Sequence, residues 1–403
     1  MRFSGFSTGI WLSGENNVLG RQWWAGDWNN ETSDCGTGVA VEGDHNTING
    51  GHFDNNTVGI LLDGAVGTAI RGAWSTLRCH DNTDVGILIA AGSDQTRIDN
   101  ASIRGNGVQG IWVQDSSDVR VRSGVYVWDN GGDGIGVTGD SQNVRATDVY
   151  TFGNNGGLAF NLVHEQDDEW GVTPNDGGDD DTGPNGLLNY PVIEQAYRLN
   201  ANEIYVQGTA CAGCRVVFRS ADDDPSGHGE GQSKAATFYT DEGGFYEGTL
   251  SLGSQIHLIT AMASTDVWTE EEWDAWWELN AGNPEADEDG GPPGSSSEFS
   301  PNVSVLSELV VDRADDTTYG QCDPLIPADC SLRGALAVAS QGVTIYFDQQ
   351  VFDANQETVI QLSQPLPPIT TPNIQLLGTA HPDADWWQAV SVTLDGSQIP
   401  AGP

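Results

Sequence analysis

A four-residue pattern, glycine, aliphatic, any residue, apolar, returns seven times in the first 160 residues. It reads Gly9-Ile10-Trp11-Leu12, Gly38-Val39-Ala40-Val41, Gly59-Ile60-Leu61-Leu62, Gly86-Ile87-Leu88-Ile89, Gly110-Ile111-Trp112-Val113, Gly134-Ile135-Gly136-Val137 and Gly157-Leu158-Ala159-Phe160. The glycines are 29, 21, 27, 24, 24 and 23 residues apart. Each unit opens with a turn rich in Asn, Asp and Gly and continues with a short alternating strand. A second turn such as Gly139 to Asn143 and a second strand such as Val144 to Val149 follow. Period-two alternation with frequent turn punctuation predicts strands and not helices. A repeat built only of short strands predicts one coil of a right-handed parallel β-helix, over residues 1–164.

Asn55, Asn82, Asn106 and Asn130 each stand four residues before a repeat glycine. Stacked coils place them above one another at about 4.8 Å, so their amides are expected to form a hydrogen-bonded structural ladder.

The net charge of −43, from 15 Lys+Arg against 58 Asp+Glu, constrains the partners. Such a surface repels phosphate backbones and anionic lipid, which argues against nucleic acid and electrostatic membrane docking. No apolar run approaches the roughly 20 residues of a membrane span, so membrane insertion is not expected. The opening Met1-Arg2-Phe3-Ser4-Gly5 does not resemble a signal peptide. Of the six cysteines, Cys211/Cys214 and Cys322/Cys330 are close pairs that favour disulfides and an oxidising compartment. Cys211-Ala-Gly-Cys214 is also half of a zinc pattern, without a second pair at suitable spacing. Cys35 and Cys79 are left open.

The period stops after Phe160. Residues 165–190 form an acidic linker with eight carboxylates in 165–181. Asp176, Asp179, Asp180, Asp181 and Asn185 offer several oxygens on a tightly curved loop, the requirement of Ca²⁺. Their spacing is not that of an EF-hand, and a solvated linker is the alternative. Residues 191–306 return to short strands without the period, such as Glu203 to Gly208 and Arg215 to Phe218. Asp241-Glu242-Gly243-Gly244 reads as a hairpin turn, and an Ig-like β-sandwich is expected. An acidic insertion at 266–293 contains a possible short helix, Glu270 to Leu279, with Trp273, Trp276 and Trp277. Packing against the sandwich is the expected role of these tryptophans, contact with glycan or a partner the alternative.

Residues 307–403 read as a cap segment for a β-helix. Ser331 is placed to N-cap a helix over 332–339, and strands at Val343 to Phe347, Val359 to Leu362 and Val392 to Leu394 follow. Cys330-Ser331-Leu332-Arg333-Gly334-Ala335, within Cys322 to Ala335, resembles the Cys-Ser-Leu-Arg-Glu-Ala cap domain of large β-helix cell-surface proteins, with Gly334 in place of Glu. Gly183 to Val192 resembles the linker of that family, and Asp224 to Gln232 with Ser297 to Ser300 resembles its sandwich. The resemblance implies an extracellular, non-catalytic surface protein. The family order is cap, β-helix, linker, sandwich. This chain is permuted, so its end reads as though it continues into its own beginning.

The fold expected is therefore all-β: a β-helix, an Ig-like sandwich and a β-helix-capping segment. The function expected is a structural subunit that polymerises head to tail, or one module of a tandem array, because an open β-helix end needs a cover. A glycan-binding adhesin is the first alternative. A polysaccharide lyase or hydrolase is the second; it requires paired carboxylates or a cationic base, and only scattered groups such as Arg97, Asp99, Arg120 and Arg122 are found. Asn30, Asn100 and Asn302 head glycosylation triplets; Asn55 does too, but its ladder position argues against modification.

Overall fold

The structure of the 403-residue chain is a computed structural model. It describes all residues except 21–29, 73–76, 123, 147, 155, 201–202, 223, 253–255, 266–293, 306–307, 319–321, 323–326, 340–342, 354, 371–373, 381–389 and 400–403. The tryptophan-bearing insertion at 266–293 thus lies outside the described residues.

Three parallel sheets run through the first 162 residues. Two have seven strands and one has six, and in each the neighbours are every third strand along the chain. That order is a β-helix with three strands per coil. The first strands of the faces are Arg2–Ser4, Thr8–Leu12 and Val18–Gly20, and the last are Tyr150–Phe152, Phe160–Leu162 and Arg145–Ala146. The first six repeat tetrads form the second face; the seventh is slipped by two residues, so Phe160 and Leu162 take the inward positions and Ala159 stands in the place of the glycine. Ile10, Val39, Ile60, Ile87, Ile111, Ile135 and Phe160 follow one another in register, and from Val39 onward this column is buried. Each such side chain stabilises the coil by roughly 1.5–3 kcal/mol on leaving water.

The corner before the tetrad explains the Asn, Asp and Gly content. Asp34, Asn55, Asp81, Gly105, Asp129 and Gly153 stand one coil apart, and all have φ between 54° and 71°. These residue types tolerate the left-handed conformation best. The following residue carries the ladder. Backbone N–H groups of Asn56, Asn82, Asn106 and Asn130 donate to Oδ1 of Asn82, Asn106, Asn130 and Asn154 at 2.9–3.2 Å. Nδ2 of Asn82, Asn106 and Asn130 donates to the same oxygens at 2.8–2.9 Å. Asn82, Asn106 and Asn130 are therefore in the ladder, and Asn55 is not. It is exposed at the left-handed corner, and Asn56 takes the rung because this coil is one residue shorter between Asn and glycine. Backbone crowding fixes the repeat glycine itself. A Cβ on Gly110 would lie 2.6 Å from the Gly134 carbonyl and 2.8 Å from Asn130 Nδ2.

A second ladder sits on the turn between the second and third faces. Backbone N–H groups of Ala65, Ser93 and Ser116 donate to Oγ of Ser93, Ser116 and Ser141 at 3.0–3.1 Å.

The chain divides into two compact units. The first joins Met1–Glu194 to Gln207–Glu247 and Leu258–Val303. Its antiparallel sheet orders Gly231–Tyr239, Arg215–Ala221, Leu258–Ser264 and Ser296–Phe299, with Val303–Ser304 beside Leu258–Ser264. The β-helix and this sheet share one unit, and their core includes Val137, Phe160, Met262 and Phe299. The second unit comprises Gln195–Val206, Gly248–His257 and Ser304–Pro403. Its strands Glu308–Val311, Thr344–Phe347 and Gln375–Ala380 form a parallel sheet, and Thr358–Gln361 pairs in parallel with Val392–Asp395. The helix Leu332–Val338 is N-capped by Ser331, whose side chain accepts from Gly334 N at 2.9 Å. Leu309, Val311, Leu332, Ala335, Ile345, Phe352 and Ile360 are among its core residues.

Candidate functional site

The two ends of the β-helix differ, and the difference begins with side chains. At the C-terminal end, residues from outside the repeat continue its columns. Glu230 Oε1 takes the place of the next ladder oxygen, accepting from Asn154 N at 2.9 Å and from Asn154 Nδ2 at 2.8 Å. Asn185 follows the serine column: its N donates to Ser141 O at 2.8 Å, and its Oδ1 accepts from Val144 N at 2.8 Å. Glu298 accepts from Leu162 N at 2.9 Å and from Thr173 N at 3.0 Å. All three residues are buried. Burial pushes both glutamates above the usual carboxylate range against the pull of these donors, Glu298 the further.

No such cover is seen at the other end among the described residues. Arg2–Ser4, Thr8–Leu12 and Val18–Gly20 each begin a sheet and pair on one side. Phe6 is 55% exposed, Trp11 63% and Val18 59%. Ile10, Leu12 and Leu19 are only partly buried, whereas Val39, Val41 and Ile48 one coil further on are fully buried. The last strands of the second unit are likewise paired on one side: Gln375–Ala380 ends one parallel sheet and Val392–Asp395 the other. Ile369, Leu376 and Leu394 are exposed near that edge. Among the described residues, both edges are parallel and paired on one side only.

The structure brings Asp176, Asp179 and Asp181 together, with one carboxylate oxygen of each within 4.8 Å of the others. Asp176 Oδ1 accepts from Asp179 N at 2.8 Å, and Asp179 Oδ1 accepts from Asn189 N at 2.8 Å. Burial, then mutual repulsion, raises the Asp179 carboxyl; Asp181 is raised by the same two causes. These oxygens suit a hard cation such as Ca²⁺. Asp180 is outside this group. Asn185 is a correction: it is buried, and its Nδ2 donates to Val144 O at 2.6 Å and Ser296 O at 2.9 Å. The chain needs that amide to close the β-helix, so it is not available as a ligand.

Cys322 and Cys330 form a disulfide with S–S 2.03 Å, and Cys211 and Cys214 are bonded as well. Cys35 and Cys79 are buried free thiols. Cys35 stands at the start of the ladder, its N donating to Asn56 Oδ1 at 3.1 Å. Of the glycosylation candidates, Asn100 is exposed and Asn30 is buried. Asn302 spends its Nδ2 on Asp222 O and Gly229 O, at 3.0 and 2.6 Å.

Sequence reasoning missed Asn56, Asn154, Glu230 and Glu298. Asn56 was findable, since it lies three residues before its glycine where the others lie four; Asn154 was not, since Ala159 takes the place of the glycine in its coil. The glutamates were not, because they lie far along the chain from the coils they complete.

A family model described as a right-handed beta helix region matches residues 1–164, the stretch in which the coils lie. No curated protein matches the chain. Among the described residues, no helix is long and apolar enough to cross a membrane.

Proposed function

We propose that this is a structural β-helix subunit of the cell surface or extracellular space that assembles head to tail. The open parallel edge of the second unit, Gln375–Ala380 and Val392–Asp395, extends the first coil of the next copy, Arg2–Ser4, Thr8–Leu12 and Val18–Gly20. In a tandem array the same joint links successive modules. The observation that carries the reading is the contrast, among the described residues, between two parallel edges paired on one side only and a third end that is closed by Glu230, Asn185 and Glu298. Parallel pairing then adds ladder hydrogen bonds, and burial of Trp11 and Phe6 adds apolar contact. A contact between two different patches does not close on itself, so it builds a filament. The two disulfides favour an oxidising compartment. The role requires no catalysis. Ca²⁺ at Asp176, Asp179 and Asp181 is part of the reading, as a brace for the acidic loop.

Electron microscopy and sedimentation of the purified chain test it. Fibres are expected, with Trp11→Asp or Leu394→Asp each giving monomers. A monomer whose first-coil amides are already protected from hydrogen exchange sinks the proposal.

A further inference from the structure

Four Asn-x-Ser/Thr triplets stand in the sequence, headed by Asn30, Asn55, Asn100 and Asn302. The fold sorts them by where it leaves the amide nitrogen, the atom to which a glycan is joined. Asn30 is only 4% exposed. Asn302 donates its Nδ2 to Asp222 O at 3.0 Å and to Gly229 O at 2.6 Å. Both bonds use amide protons, and a glycosylated amide keeps one. Asn100 is exposed, but its Oδ1 lies 2.4 Å from where a Cβ on Gly124 would stand. Its amide is therefore folded onto the next coil. The hydroxyl of that triplet is engaged too, with Ser102 Oγ 2.8 Å from His80 Nε2. Asn55 differs from all three.

Asn55 holds its corner at φ 58° and is exposed. Among the described residues its carboxamide makes no hydrogen bond. The backbone fixes the corner instead: Asn55 N donates to His80 O at 3.0 Å, and Asn55 O accepts from Asp34 N at 2.9 Å. The corner column Asp34, Asn55, Asp81, Gly105, Asp129 and Gly153 contains one amide, and that amide heads a triplet. Asp81 and Asp129 rest Oδ1 against the glycine one coil on, 2.4 and 2.5 Å from where a Cβ on Gly105 or Gly153 would stand. One coil on from Asn55 stands Asp81, which has a Cβ. The same seat is closed, and the Asn55 amide stays in solvent. Thr57, which supplies the hydroxyl of the triplet, is exposed as well. Asn55 also borders a polar cleft of about 130 Å³ whose lining includes Glu31 and Asp54, acceptors for sugar hydroxyls.

We propose that Asn55 is the acceptor of an N-linked glycan. Its Nδ2 attacks the anomeric carbon of a lipid-linked sugar diphosphate. The bond from that carbon to the diphosphate oxygen breaks, the lipid diphosphate leaves, and Nδ2 gives up one proton. Asn56, the middle residue of the triplet, is a buried ladder rung, so the triplet is read before this coil closes. Folding then accepts the product, because the glycan leaves from an exposed corner. A glycan at Asn30 or Asn302 blocks the fold at a buried amide or at two hydrogen bonds. The inference rests on the reading that the chain is exported, and not on head-to-tail assembly.

The test directs the full chain into a eukaryotic secretory pathway and maps the secreted, folded fraction by peptide mass spectrometry. Enzymatic deglycosylation in heavy-oxygen water marks each formerly glycosylated Asn as labelled Asp. The host supplies both export and the sugar donor, so a failure at Asn55 counts against the acceptor and leaves the reading of compartment and assembly untouched. Asn55 is expected to be marked in most molecules, Asn100 in fewer, and Asn30 and Asn302 in none. Thr57→Ala leaves the corner residue in place and should abolish the mark at Asn55, with the circular dichroism of the parent. A bare Asn55, a mark at Asn100 exceeding that at Asn55, a mark at Asn30 or Asn302 in folded chain, or a mark at Asn55 that survives Thr57→Ala each overturns the proposal, whether or not the chain forms fibres.

Discussion

Replacing Glu230 tests whether the ladder needs an acceptor at its end. In Glu230→Ala the Asn154 N–H and Nδ2–H groups, now 2.9 and 2.8 Å from Glu230 Oε1, keep their buried position and lose their acceptor. A buried donor left unsatisfied costs about 1–3 kcal/mol. Two of them cost more, offset in part because the substitution also removes a carboxylate that burial already disfavours. The net expectation is about 2–3 kcal/mol of local destabilisation. Read as amide hydrogen exchange, that is roughly 30- to 140-fold faster opening at Asn154. The effect should fade along the ladder toward Asn106. Glu230→Gln keeps the carbonyl oxygen, and with it both bonds, so its exchange should stay within about fivefold of the parent, under 1 kcal/mol. If Glu230→Ala leaves Asn154 exchange unchanged, the ladder does not need its last acceptor. If Glu230→Gln exchanges as fast as Glu230→Ala, the charge matters and ladder completion does not. Either result refutes the reasoning.

Two further predictions follow from the same end and from the acidic loop. Burial raises the Glu298 carboxyl well above its usual value, helped by Asp167 and Asp133, so the folded state holds a proton that the unfolded state has released. Stability is then fully present below the unfolded value of about 4.3 and is lost as pH rises toward the folded value. Thermal melting of the parent should therefore improve from pH 7 to pH 5, and Glu298→Gln should flatten that slope while lowering stability at each pH, since one of Leu162 N and Thr173 N loses its acceptor; an undiminished slope would assign the effect to the general charge. Titration calorimetry with Ca²⁺ should give one site that Asp179→Asn together with Asp181→Asn abolishes, and heats unchanged in that variant would remove the loop from consideration.

The β-helix was legible because its information is local and repeated. Gly59, Gly86, Gly110 and Gly134 announce the coil, and the alternation of Ile111-Trp112-Val113 gives the inward and outward sides directly. Asn55 shows where this reading stops. A spacing of four from the glycine pointed to it, but the left-handed corner and the ladder rung are adjacent residues, and a coil shortened by one residue exchanges them. The end cover was not legible at all. Glu230 and Glu298 read as two more acids in an acidic chain, and only contacts spanning 76 and 136 residues give them a role. Asn185 was misread for the same reason: beside Asp179 to Asp181 it resembles a ligand, while its partners Val144 and Ser296 are 41 and 111 residues away.

The closed end also changes what the open one means. A parallel β-helix interrupted at either side exposes the same backbone groups, so an uncapped end alone would say little about assembly. Here the sequence devotes two buried carboxylates and a buried amide to finishing one end, at a desolvation cost that is visible in both glutamates. The first coil leaves its inward Ile10, Leu12 and Leu19 only partly buried, with no equivalent device among the described residues. Polarity follows from that contrast. On the proposed reading the β-helix is extended from its N-terminal side, and the second unit has, among the described residues, a parallel edge paired on one side. Growth through the proposed joint would be directional, each copy presenting one donor edge and one acceptor coil. A chain carrying Trp11→Asp should still be able to donate its own edge to a growing end, and a chain carrying Leu394→Asp should still accept one. Mixing the two monomeric variants should then yield dimers with one intact joint and no longer species. Fibres from the mixture, or no association at all, would show that the joint is not built from these two edges.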